Sequence, residues 1–128
     1  MKRINYSSGA KWEDIVGYSR AVKIGQRIEV AGTTAVRNGT LQGVGDPYEQ
    51  TKVILQIIEE TLVSAGSKLK DVVRTRIFVT NIAEWEAVGK AHGEFFKTIK
   101  PACTMVETSG LVDPDMLVEI EATAVITE

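Results

Sequence analysis

The stretch from Asp46 to Gly66 restricts this chain more than any other, because it demands an amphipathic helix with something apolar to lie on. Asp46 has a carboxylate suited to cap the first unpaired amides. Pro47 fits the first helical position, where its missing N–H costs nothing, and Glu49 stands at the reciprocal capping-box position. Ile54, Ile57, Ile58, Thr61, Leu62 and Ala65 then recur at the spacing of one helical face, and Gly66 occupies the place of a left-handed C-terminal residue. A helix to about Ala65 is predicted. A second is predicted after Asn81, with Glu84 as the reciprocal cap and Trp85, Val88, His92, Phe95 and Phe96 along one stripe.

Around these helices the pattern has period two. KRINYSS reads as a short strand and GAKWEDIVGYSRAV as a loop holding Trp12 and a Gly17-Tyr18 turn; strand pattern resumes from Arg20 to Lys23 and from Ile28 to about Thr34. The stretch with Gly39, Gly43 and Gly45 reads as a flexible surface loop, since it has neither a P-loop ending nor a GxGxxG spacing. In VVRTRIFVT, Val73, Thr75, Ile77 and Val79 alternate with Arg74, Arg76 and Phe78. After Pro101, the residues Cys103, Met105 and Glu107 point one way and Thr104, Val106 and Thr108 the other. The final run sets Glu119 and Glu121 against Val118, Ile120, Ala122 and Ala124.

These elements predict an α+β fold: a single mixed β-sheet with both helices packed on one face. The opposite face would carry Arg74, Arg76, Phe78, Cys103, Met105, Glu107, Leu117, Glu119, Glu121 and Val125. That mixture is too apolar for a solvated surface and too charged for a monomer's core, so a homo-oligomer packed through this face is expected. Glu121 would then pair with Arg74 or Arg76.

At 128 residues, one domain spanning 1–128 is expected. One cysteine and one histidine leave no internal disulfide and no basis for a zinc cluster, so no metal or other cofactor is expected. A formal charge of −2, a pI near 5.5 and the lack of a basic cluster argue against nucleic acid as a partner. The sequence has no apolar run long enough to span a membrane and no secretory h-region at its start, so no membrane partner and a cytoplasmic location are expected.

At GYSRAV, IEVAGTTA, the QT-rich helix, SAGSKLKDVVRTRIFVTNI, HGEFF, KPACTMVE and LVEIEATAV, from about Gly17 to Val125, the chain resembles the reactive intermediate deaminase family, the RidA/YjgF-like proteins. The resemblance implies a bacterial chorismate mutase-like fold and a homotrimer with clefts between adjacent subunits. The best-known members hydrolyse enamines and imines such as 2-aminoacrylate to 2-keto acids and ammonia. In them an arginine binds the substrate carboxylate, a glutamate near the last strand positions water, and a tyrosine lines the cleft.

Position by position, the resemblance makes Glu119 the water-positioning group and Tyr18 the cleft residue. Cys103 stands where the arginine is expected, Ala31 replaces a serine, and Gly89 replaces an asparagine. Glu119 and Cys103 are thus the candidate catalytic residues. Tyr18, Gly32, Thr33, Cys103 and Thr104 are the candidate contacts to a small-molecule ligand, with backbone amides near Gly32 and Cys103 on its oxygen. A thiol cannot replace a guanidinium's charge-assisted grip, about 1.5–3 kcal/mol per hydrogen bond to a charged group. The expected substrate therefore needs no strong carboxylate clamp, and little 2-aminoacrylate turnover is expected. The competing reading is a non-catalytic small-molecule-binding or regulatory protein using the same cleft. His92 is read as a packing residue rather than a base.

Overall fold

The computed structural model describes residues 1–127. Strands β1 (Arg3–Tyr6), β2 (Ala21–Ile24), β3 (Arg27–Thr33), β6 (Val72–Val79), β7 (Ala102–Glu107) and β8 (Val118–Val125) form one sheet in the order β1-β2-β3-β8-β6-β7. All neighbours are antiparallel except β6 and β7. That parallel pair needs a crossover, and helix α3 (Trp85–Phe96) supplies it. Helix α2 (Pro47–Ser64) packs beside α3 on the same sheet face, as its apolar stripe requires. Ile54, Leu55, Ile58 and Leu62 of α2 meet Ile28, Val30, Ile77, Val79, Val118 and Ile120 in the buried core. No helix among the described residues is long and apolar enough to cross a membrane.

The predicted cap is present: an Asp46 carboxylate oxygen accepts from the Glu49 amide at 3.1 Å, and Gly66 has φ +82°. Asn81 instead caps a single 3-10 turn, Ile82–Glu84, before α3 begins at Trp85. Trp85 is exposed, so the buried face of α3 is Val88, Ala91 and Phe96. Lys11–Val16, expected to be loop, is a six-residue helix, α1. The glycine-rich stretch contains a small hairpin, β4 (Val36–Arg37) with β5 (Thr40–Leu41), turned by Asn38 and Gly39 with φ of +53° and +77°. That Asn-Gly pair is a strong hairpin signal, because both central residues of a type I′ turn need positive φ.

Three face assignments are corrected by the pairing. A bulge between Val72 and Arg74 moves the alternation of β6 by one residue, so Val72 is buried and Val73 exposed. Strand β6 lies between β7 and β8, which are therefore not neighbours. In β7, Cys103, Met105 and Glu107 pair with Thr75, Ile77 and Val79 on the helix-bearing side, and Met105 packs on the core. Leu117 also packs on the core. The open face carries Thr104 and Val106 in place of the residues assigned to it from β7.

Candidate ligand site on the open sheet face

Alternation along β8 buries Val118, Ile120 and Ala122 and turns Glu119 and Glu121 to the open face. Glu121 pairs with Arg76 across the sheet, and their charged atoms lie 3.5 Å apart, which answers the choice between Arg74 and Arg76. Glu119 lies between Phe78 of β6 and the irregular part of β3, where the ladder shifts between Val30 and Thr33. Its carboxylate rests against the Cα of Gly32. A Cβ built there would overlap the Glu119 Oε2 atom and stand 3.1 Å from Cδ. Glycine is thus required at position 32 for close approach.

Burial raises the Glu119 pKa above the ordinary carboxylate range; Arg20 opposes this, and Glu121 reinforces it. A carboxyl whose pKa is raised in this way is a stronger base once ionised and is suited to moving protons. Gly32→Ala should leave thermal stability nearly unchanged, since only the end of a flexible side chain must move. It should nonetheless lower any Glu119-dependent activity about tenfold or more, because small misplacements of a catalytic group are costly. Paired melting curves and rate measurements check this, and equal rates would remove Gly32 from the site.

Tyr18 is placed by α1. The Gly17 and Tyr18 amides both donate to the Glu13 carbonyl, at 2.9 and 3.0 Å, and Gly17 ends the helix with φ +89°. The buried Glu13 side chain accepts from the amide and hydroxyl of Ser8, tying α1 to the preceding turn. Burial opposes charge on Glu13, but the Ser8 hydrogen bonds outweigh it and the pKa lies below the ordinary value. Tyr18, Ser19, Ala31, Arg76 and Glu121 line an open cleft of about 670 Å³ on this face.

The other candidates are distributed unevenly. Gly32 meets Glu119, and Thr104 shares the open face, paired with Arg76. Thr33 is buried on the core side opposite Ile120, its hydroxyl donating to the Ala31 carbonyl at 2.8 Å. Cys103 is exposed on edge strand β7 but lies on the helix side of the sheet, away from Glu119 of the same chain and from Arg76. His92 Nε2 lies 2.9 Å from the Thr75 hydroxyl, and its ring is 4.7 Å from that of Phe96. Burial holds its pKa below the ordinary value, in keeping with a packing role.

Sequence reasoning missed Arg20. It precedes the buried Ala21, so alternation sends its side chain to the open face, where Nη2 donates to the Gly32 carbonyl. The signal was present in the strand read from Arg20 to Lys23.

Comparison with known proteins agrees with this architecture. The sequence profile of the family described as endoribonuclease L-PSP matches residues 8–126. The chain belongs to that family. Its members also carry the names YjgF, RutC and Rid, so the resemblance noted above is to the same family. A crystal structure of a YjgF/YER057c/UK114 family member from Mycobacterium tuberculosis is 46% identical with a TM-score of 0.89, covering 98% of this chain and 100% of that one. An uncharacterized protein of Streptomyces coelicolor is 41% identical over 117 residues, 91% of this chain and 87% of the relative. The protein named 3-aminoacrylate deaminase RutC, from Acinetobacter baylyi, is 35% identical over 108 residues, 84% of this chain and 85% of the relative.

Proposed function

We propose that this L-PSP family member hydrolyses a reactive enamine or imine in a cleft completed by a neighbouring copy of the chain. The observation that carries the reading is the desolvated Glu119 carboxyl seated against Gly32 on the open sheet face. In its ionised form Glu119 takes a proton from water as the water oxygen adds to the C=N carbon. Glu119 returns that proton to the nitrogen to give a carbinolamine, and the carbinolamine's hydroxyl proton then passes through Glu119 to the amine as the C–N bond breaks, so that ammonia leaves and the carbonyl forms. Tyr18 lines the pocket, and backbone amides near Gly32, Thr33, Cys103 and Thr104 hold the substrate's oxygen. Cys103 acts here as a lining residue contributed from the edge strand; as a nucleophile it would need a cation, and Arg76 faces the other side of the sheet.

The partner in this reading is a second and third copy of the chain. Phe78, Val106, Val22 and Ile24 lie on the open face among ion-paired residues, which suits a subunit interface better than solvent. With the homotrimer that the family resemblance implies, light scattering should give about three times the 14.0 kDa chain mass. The name of the 35% identical relative makes 3-aminoacrylate the first substrate to assay. Generated in situ, it should release ammonia faster with protein than without. Enzymatically generated 2-aminoacrylate, which the best-known members hydrolyse, is the second. If neither compound responds at high protein concentration, the binding or regulatory reading replaces this one. The family description points instead to RNA cleavage, but the chain's net charge of −2 gives little attraction for a polyanion.

A further inference from the structure

Arg20 is a cation that the fold positions and that has no ion-pair partner among the described residues. Its main-chain carbonyl accepts from the amide of Ala31, a cleft residue, at 3.0 Å. Its side chain is fixed by the Nη2 bond to the Gly32 carbonyl. Its Nε is buried and has no hydrogen-bond partner among the described residues. The ion pairs among those residues are Arg27–Glu29, Arg37–Glu60 and Arg76–Glu121, so no carboxylate lies within 4.0 Å of Arg20. Glu13, Glu119 and Tyr18 are near enough to favour its charge, but none is hydrogen-bonded to it. A half-buried guanidinium whose Nε is buried and unpartnered is a costly arrangement, and its planar set of donors matches a carboxylate.

We propose that Arg20 is the anion-binding residue of the Glu119 site, beside the cleft lined by Tyr18 and Ala31, with its guanidinium taking the carboxylate of the substrate next to Glu119. This inference rests on the reading of the Glu119 region as the ligand site and deepens it. The substrate class becomes an enamine or imine that bears a carboxylate. The grip absent at Cys103 on β7 comes from the segment leading into β2, so the expectation of a substrate without a carboxylate clamp is replaced.

Pyruvate, a stable 2-keto acid, and its neutral analogue pyruvamide test the proposal on the full chain in its native assembly. In nitrogen-15 spectra of arginine side chains, the Arg20 Nε–H resonance, assigned with Arg20→Lys, should move on titration with pyruvate and stay fixed with pyruvamide. The pyruvate Kd should weaken about tenfold or more in Arg20→Gln, as expected for losing a hydrogen bond to a charged group. An unmoved resonance at saturating pyruvate overturns the proposal; so does an equal Kd in a folded Arg20→Gln. A neighbouring copy's carboxylate already bound to Arg20 would appear as the unmoved resonance. If Arg20→Gln does not fold, the wild-type spectrum decides alone. Failure of the hydrolase reading looks different: Glu119→Gln would retain full turnover while pyruvate still shifts Arg20.

Discussion

Glu119→Gln should lower the hydrolysis rate by about a hundredfold or more, the usual contribution of a positioned acid–base group, while the protein remains folded. The amide keeps the size of the side chain and its place against Gly32 but can neither take nor return the water's proton. A rate in Glu119→Gln within a factor of about three of wild type would contradict the mechanism. In the wild-type protein the rate should rise with pH through a midpoint above the ordinary carboxylate value of 4.5, because the proposed mechanism uses the ionised form.

The same carboxyl imposes a pH dependence on stability. Its folded pKa is raised, so between the unfolded and folded values the native state holds more protons than the unfolded chain. The stabilising contribution is complete below about 4.5 and is lost as pH rises through the folded value. Urea unfolding should therefore show Glu119→Gln gaining on wild type as pH increases across that window.

Gln50→Ala should destabilise the fold by about 2–5 kcal/mol, among the larger single-residue effects expected here. Gln50 is fully buried at the start of α2. Its Nε2 donates to the carbonyls of Gly43 and Asp115 at 3.1 and 3.0 Å, and its Oε1 accepts from the Leu117 amide at 2.9 Å. One side chain thus satisfies three main-chain groups of two separate loops, and truncation leaves them unpaired in a dry environment. Gln50→Leu should cost a similar amount, because volume is restored but the hydrogen bonds are not. A loss under about 1 kcal/mol in denaturant unfolding would mean that water replaces the amide. The bonded turn leads directly into β8, so loosening it should also lower Glu119-dependent activity.

The residues of α2 illustrate what local chemistry can specify. Asp46, Pro47, Glu49 and the 3.6-residue apolar spacing act within one segment, and the structure places the cap and buried face accordingly. Alternation along β8 separated Glu119 from Ile120 in the same way, and Glu119 emerged as the leading candidate from sequence and family resemblance together. Cys103 shows the limit. Alternation relates Cys103 to Thr104 within β7, but the face either residue takes depends on pairing with β6, and a shift of one residue exchanges the two. Arg20 and Gln50 escaped notice for a related reason. Their roles depend on the Gly32 carbonyl and on the Gly43, Asp115 and Leu117 backbone, which are distant in the chain.

By itself, then, the sequence determined the helices' caps and stripes, the α+β class, the sidedness of β8 and the family, because these follow from local periodicity and from motifs. Only the tertiary structure decided that β6 separates β7 from β8, that Cys103 and Glu119 of one chain lie on opposite faces, and that Arg20 stands beside Gly32 near Glu119. Strand order and register arise from pairing between remote segments, and no local pattern encodes the phase in which they meet.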